Sequence, residues 1–596
     1  MTHRSGLALP VAPRCACISG VDLRGPGHDR FEGPTKRAIE TGRNRLLIAG
    51  ALFILGFSTV AARLVDLSLL SQGAEPRLAQ SRKPLSRSTE RADIVDRNGV
   101  ILATNLPTAS LSADPRAIRN PRRVAARLAA VLPGLDAAKT ERRLRSRRRF
   151  VWLQRNLTPR QQIVVNRLGV PGLQFQRGER RVYPNGRMAS HVLGFTDIDN
   201  TGLAGVERFF DKRLRAGDDA TGPLRLSLDI RVQYVLEAEL ARVVREQKAL
   251  GASGLVLDVN SGEVLAMASL PDFDPDRPAA AKPGARFNRN TLGVYELGST
   301  LKVFTTAMAL EYGTATINDR YDVRPIRVAR FTIRDHGRRR GPLSVSDIFT
   351  YSSNIGSARL ALEVGGARQR TFLRQLGLFD RPAIELSEVG TPLRPKVWRP
   401  INTMTVAFGH GIAISPLQLA VGVAAVVDGG VLRKPTLLKR RTGDVAAGKR
   451  VISPRTSETM RRLMRRVVLK GTGRQAKAPG YFIGGKTGTA EKAGRGGYRD
   501  DSQLSSFVAA FPIDRPRYVV LVVVDSPKGV DGSGRRATGG WVAAPVVSRV
   551  VSRSALMLGI APRKTDTAPF EEPRAPQGPR LPVVRVGTGV QELASN

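Results

Sequence analysis

Three short motifs occur in fixed order along the 596 residues: Ser299-Thr-Leu-Lys302, Ser352-Ser-Asn354 and Lys486-Thr-Gly488. Each is weak alone, and the weight lies in the order, the gaps and the flanking pattern. A fold that unites them must bring a helix start, a turn and a strand to one cleft. Together the three describe a serine acyl-transfer site.

Glu296 to Leu310 reads as a glycine turn entering an apolar helix, which puts Ser299 at the helix N-terminus and Lys302 one turn on, on the same face. A serine hydroxyl needs a base to become a nucleophile, and a lysine partly desolvated beside another cation can be neutral enough to serve. The helix dipole favours negative charge developing near Ser299. Ser352 and Asn354 follow 53 and 55 positions after Ser299, ahead of the apolar stretch IGSARLALEV. Read alone, SSNIG is a helix N-cap. Beside the other motifs, Ser352 is expected to relay protons between Lys302 and a leaving group, and Asn354 to hold Lys302 and a substrate amide. Lys486 to Thr489 falls on a predicted strand. There Gly488, lacking Cβ, would let a substrate backbone lie along the sheet edge, and Lys486, Thr487 and Thr489 could receive a carboxylate. The backbone N–H groups of Ser299 and Thr489 are the expected oxyanion hole. Lys302 and Lys486 can titrate as a pair, so the choice of Lys302 as base stays open to test.

Residues 1–45 are rich in Gly, Pro and Arg without apolar periodicity and read as a disordered cytoplasmic tail. Leu46 to Ala62 is an uncharged apolar run that Leu64, Val65 and Leu67 extend, giving an expected transmembrane helix over 46–67. A cleaved signal peptide is the competitor, with VAA at 60–62 as its site. Eight Lys or Arg against four acids precede the run, and the fifteen residues after it hold only Arg63 and Arg77, so positive-inside puts the N-terminus in the cytoplasm.

From 70 to 220 a separate module is expected, with a hairpin at Asn98-Gly99 and an Arg-rich helical stretch near 120–168. The unit over 224–561 opens with a strand and an amphipathic helix carrying Val232, Leu236 and Leu240, followed by a hairpin across Asn260-Ser-Gly262. FIGGKTGTAEK, SSFVAAFP and RYVVLVVVD read as three later strands, with a long glycine-rich connection at 494–497. The fold class is therefore α+β: an antiparallel sheet built from both ends of the unit, flanked by the helices inserted between. Residues 562–596 turn to Pro, Arg and Glu and read as a flexible tail.

An excess of 95 Lys and Arg over 51 Asp and Glu calls for something anionic nearby: nucleic acid, anionic lipid or cell-wall polymer. The basic residues are spread along the chain without a zinc-finger, RRM or helix-turn-helix pattern, which argues against nucleic acid. Cys15 and Cys17 both precede the apolar run, and the rest of the chain is thiol-free, as suits an exported domain without disulfides. His3, His28, His191, His336 and His410 form no ligand cluster in the sequence.

With these gaps the three motifs resemble the penicillin-binding protein and serine β-lactamase superfamily over roughly 224–560. RADIVDRNGVILA at 91–103 and RRVYPNGRMASHVLGFTDIDNTGLAGVE at 180–207 resemble the non-catalytic pedestal, a dimerisation-like domain, of class B penicillin-binding proteins. AFGHGIAISPLQLA at 407–420 and Tyr183-Pro184 are more similar to the septal, cell-division members than to the elongation members. The resemblance implies D,D-transpeptidation. Ser299 would attack the penultimate D-alanyl carbonyl of a peptidoglycan stem peptide, D-alanine would leave, an amine of a neighbouring stem would resolve the acyl-enzyme, and β-lactams would acylate the same serine. It further implies no metal or organic cofactor, residence in the inner membrane at the division septum with the catalytic domain in the periplasm, and partnership with the polytopic division glycosyltransferase and other divisome proteins. An elongation-type transpeptidase and a catalytically silent β-lactam sensor are the competing readings.

Overall fold

The computed structural model describes residues 34–65, 91–217, 222–328, 331–337, 341–441, 446–494, 497–529, 537–563 and 584–585. Segments 1–87 and 88–596 form separate compact units. The described residues of the first form the helix α1 (Pro34–Val65). Residues 34–45, expected in an irregular tail, are therefore helical, while 1–33 lie outside the described residues. Side chains along α1 are described from 47 to 62, and Leu52, Phe53, Ile54, Leu55 and Phe57 are each at least 63% exposed. Among the described residues no helix is long and apolar enough to cross a membrane.

In the second unit, β1 (Ile94–Val95) turns through Asn98-Gly99 into the long β2 (Ile101–Ala113). Gly99 takes φ +92, the left-handed conformation such a turn requires. The Arg-rich stretch is not continuously helical. Helices α2 (Pro121–Val131) and α3 (Ala137–Leu144) are followed by a strand, β3 (Val151–Leu157), and only then by α4 (Pro159–Asn166). Val151, Leu153 and Leu157 are buried at strand spacing, and that period of two outweighs the helical propensity of the surrounding arginines. β4 (Leu173–Val182) pairs along β2, and β1 pairs in parallel with β5 (Leu224–Arg225), so one sheet joins the two parts of the unit.

Glu207 ties this module together. Wholly buried, it accepts hydrogen bonds from Arg91 Nε and Arg181 Nε, both at 2.7 Å, and lies 3.4 Å from Tyr183 Oη. The two segments singled out at 91–103 and 180–207 thus meet at one carboxylate. Asp96 accepts from the N–H groups of Asn98 and Val100 and also from that of Ile230, linking the hairpin to the start of the next helix.

That helix is α5 (Ile230–Glu246), capped by Asp229 and burying Val232, Leu236, Leu240 and Val243. β6 (Gly251–Asp258) and β7 (Val264–Leu270) form the expected hairpin. The chain then leaves the sheet for α6 (Lys302–Glu311), α7 (Val345–Tyr351), α8 (Asn354–Val364), α9 (Pro416–Val427) and α10 (Pro454–Leu469). It returns as β8 (Gly484–Gly494), β9 (Gly497–Phe511) and β10 (Tyr518–Asp525), and closes with α11 (Ala543–Ser554). The sheet order is β8-β9-β10-β6-β7, antiparallel throughout. The connection at 494–497 is short, because both strands run on to Gly494 and Gly497.

β10 shows why this sheet is central. Its eight residues are all buried: Val520, Val522 and Val524 pack with α5 and α11, while Val519, Leu521 and Val523 face the side of α6 and α9. A strand covered on both faces reads as a continuous apolar run. At about 1.5–3 kcal/mol per fully buried aliphatic side chain, such strands dominate the stability of the unit. Beyond α11, Arg563 N–H bonds Gly480 O, and Val584–Arg585 pair with Arg320–Tyr321; the rest of 564–596 lies outside the described residues.

Candidate active site

Ser299 lies on the single turn Gly298–Leu301 that feeds α6, half-buried at the cleft. Gly298 takes φ +56, and a Cβ there would lie 2.5 Å from the Thr489 carbonyl oxygen. The nucleophile turn is therefore pressed directly against β8. Lys302, at the first position of α6, is fully buried, as is Lys486 on β8.

The second motif sits between α7 and α8. Ser352 ends α7 in the left-handed region at φ +64, a conformation that costs a non-glycine residue about 1–3 kcal/mol and marks a site held by its surroundings. The N-cap expectation falls on its neighbour: Ser353 Oγ accepts from Gly356 N–H at 2.9 Å and starts α8. The strained turn leaves Ser352 for another use. Lys302 Nζ donates to Ser352 O and Asn354 Oδ1, both at 2.6 Å, and lies 3.1 Å from Ser352 Oγ. Lys486 Nζ lies 2.9 Å from the same hydroxyl and donates to Thr487 O at 3.1 Å. One serine oxygen thus bridges two buried amines.

Burial pushes the Lys302 ammonium well below the ordinary lysine value; the Lys486 charge adds to the shift and Asp335 opposes it. Burial pushes Lys486 down to about 7. Both effects favour the neutral amine, the form that can take a proton from a hydroxyl.

The third motif is built more tightly than its sequence suggests. β8 is the outermost strand of the sheet, open to addition of an extended chain. Glycine at 488 has a packing reason as well, since a Cβ there would lie 2.3 Å from Ser506 Oγ and 2.6 Å from Leu297 O. Thr487 is buried with its hydroxyl 2.7 Å from Thr472 Oγ1, whereas Thr489 is half-buried and its Oγ1 accepts from Gly539 N–H at 3.2 Å. Ser299, Lys302, Ser352, Asn354, Lys486, Thr487, Gly488 and Thr489 thus come together around one cleft.

Asp335 was not singled out in the sequence. It accepts from Ser353 Oγ and Asn354 N–H, both at 2.6 Å, and from Ile355 N–H at 3.0 Å, completing the start of α8. Thr472 and Gly539 were also missed. All three reach the site from loops without a motif, so only the folded chain reveals them. Beside Asn354 and Thr489 a cavity of about 500 Å3 opens, lined by the apolar Ile333 and Phe408 and the polar His410 and Glu491 among others. Among the described residues no group of three or more His, Cys, Asp or Glu is placed to hold a metal ion.

The family described as "Penicillin binding protein transpeptidase domain" matches residues 252–552, and "Penicillin-binding Protein dimerisation domain" matches 86–221. The chain is 41% identical over 487 residues to the "Probable peptidoglycan D,D-transpeptidase FtsI" of Caulobacter vibrioides, covering 80% of this chain and 82% of that protein. It is 32% identical over 539 residues to the "Probable peptidoglycan D,D-transpeptidase PenA" of Neisseria meningitidis serogroup A, covering 85% and 90%. The crystal structure of a peptidoglycan synthetase from Bifidobacterium adolescentis superposes with a TM-score of 0.63 over 81% of this chain and 97% of that one; at 22% identity this likeness concerns the fold.

Proposed function

The chain belongs to the class B penicillin-binding proteins and is a peptidoglycan D,D-transpeptidase of cell division, and from that premise we propose how its site divides the work. Ser299 Oγ attacks the penultimate D-alanyl carbonyl of a stem peptide. Lys302, held neutral by burial, takes the hydroxyl proton, and Ser352 passes it to the nitrogen of the departing D-alanine. The oxyanion is met by the N–H groups of Ser299 and Thr489, on the two segments that Gly298 allows to touch. The substrate strand adds along β8, with its terminal carboxylate toward Lys486, Thr487 and Thr489. An amine of a second stem then takes the acyl group, and β-lactams acylate Ser299 in place of the stem.

The observation that carries this reading is the shared Ser352 hydroxyl, 3.1 Å from one buried lysine and 2.9 Å from the other. Release of D-alanine from a pentapeptide stem by the full chain, lost in Ser299→Ala, is the expected result. Release that persists in the variant would overturn it.

The anchoring part of the proposal rests on the sequence, where Leu46 to Ala62 is an uncharged apolar run, rather than on a described helix that meets the length and apolarity for crossing; the exposed Leu52 to Leu55 of α1 suit contact with lipid. With the basic flank at its N-terminal side, the tail lies in the cytoplasm and the catalytic unit in the periplasm, at the inner membrane of the septum. The apolar helix and the pedestal are the surfaces proposed to meet the polytopic division glycosyltransferase and other divisome proteins.

A further inference from the structure

His410 was read in the sequence as one of five scattered histidines, yet the fold brings it to the acyl-transfer cleft. Gly409, at φ +88, packs so closely that a Cβ there would lie 2.0 Å from the carbonyl oxygen of Gly298, the residue before the nucleophile. Thr305, on the nucleophile helix α6, donates through Oγ1 to Ala407 O at 2.8 Å. Gly411 N–H donates to Glu296 Oε1 at 2.9 Å, and Tyr295 and Ile414 exchange backbone hydrogen bonds. The turn carrying His410 is thus fixed to both sides of Ser299. Its imidazole Nδ1 faces Glu296 Oε2 at 3.6 Å, and the ring lines the same cavity as Asn354 and Thr489.

This cavity has the chemistry of an amine site. Glu491 and His410 line it together with Arg334 and His336, and Glu296 stands behind the imidazole. In a chain with net charge +44, one carboxylate in the cavity lining, Glu491, and a second, Glu296, on the far side of the imidazole give the amine a place beside negative charge. The transfer half of the reaction needs such a place, because its acceptor arrives as an ammonium that must lose a proton before it can attack.

Resting on the transpeptidase reading, we propose that His410, backed by Glu296, is the base that deprotonates the acceptor ammonium in the second half-reaction. One ammonium proton passes to the imidazole. The freed lone pair forms the N–C bond at the acyl carbon. A second proton leaves that nitrogen for Lys302 and, through it, Ser299 Oγ, as the C–Oγ bond breaks and its electrons return to that oxygen. The imidazolium then releases its proton to solvent. Acylation draws on Lys302, so the two half-reactions use different first acceptors of the proton. Burial lowers the His410 pKa below the usual imidazole value; Glu296 and Glu491 pull it back up, while Lys302 and His336 push it down. The balance favours the neutral ring at neutral pH.

The test uses the full chain in detergent with a D-alanyl thioester as donor and D-alanine as the acceptor amine. Thiol release reports acylation, and the ratio of amide to acid product reports transfer. His410→Phe and His410→Gln are both expected to lower the amide-to-acid ratio about tenfold at pH 7, well beyond any change in thiol release. In the native chain the ratio levels off above the imidazole pKa; in the variants it keeps climbing with the free-amine fraction. Bound penicillin confirms that each variant is folded. Native ratios and a native pH profile in both variants would overturn the proposal. Absence of thiol release from the native chain would overturn the transpeptidase reading and this proposal with it.

Discussion

Lys302 and Lys486 converge on one hydroxyl, that of Ser352, which sits 3.1 Å from the first amine and 2.9 Å from the second. Two buried ammonium groups so close to one oxygen would face each other without water, and burial lowers the pKa of both. The strained left-handed turn at Ser352 is what sets the hydroxyl between them.

Ser352→Ala removes the bridge and leaves both lysines in place. The second-order rate of Ser299 acylation by a fluorescent penicillin is expected to fall by roughly 10²–10⁴, the usual worth of positioned proton transfer. A near-native rate with the fold intact would remove Ser352 from the proton path.

Neutral Lys302 is the proposed base, and burial holds its pKa well below the ordinary lysine value, so acylation should proceed at neutral pH and slow on acidification. In Lys302→Ala the rate should collapse and the profile flatten; an unchanged profile would move the base elsewhere. The same shifts affect stability. Between about pH 7 and the ordinary lysine value of about 10.4, the unfolded chain holds more protons than the folded one, so stability should rise with pH across that window.

Asp335 holds the start of α8 through three hydrogen bonds, including that to the Asn354 N–H. Asp335→Ala is expected to cost about 1–2 kcal/mol, seen as a lower Tm, and to slow acylation by loosening Asn354 against Lys302. Asp335→Asn, which keeps an acceptor, should recover part of both. Unchanged Tm and acylation in Asp335→Ala would show that the remaining Ser353 cap suffices.

Glu207→Ala would leave Arg91 and Arg181 buried without their shared carboxylate, and breaking a buried charge network from one side costs about 3–5 kcal/mol. Chemical denaturation of the full chain should show the loss, whereas Glu207→Gln, which retains one acceptor oxygen, should lose less. Equal stability of Glu207→Ala and the native chain would mean that water or rearrangement compensates the two guanidinium groups.

Much of the catalytic unit was legible because its signals are local. The valine run of β10, the apolar face of α5 and the three motifs each announce their element within a dozen residues. β3 was missed because arginines on its flanks mask a strand whose inward positions are only Val151, Leu153 and Leu157. Gly488 was assigned to substrate alone because the approach of Leu297 and Ser506 is a tertiary fact. Asp335 carries no spacing that distinguishes it, and the stretch 407–420 marked a resemblance without assigning His410 a role; the place of both beside the site is set by loops folding back over α8 and the nucleophile turn.

The central claim is that Ser299 is the acyl-accepting oxygen of this cleft. Incubation of the full chain with a fluorescent penicillin, followed by peptide mass mapping, tests it most directly. A stable adduct on Ser299 that disappears in Ser299→Ala is the predicted result. No adduct, or one that persists in the variant, would contradict the account.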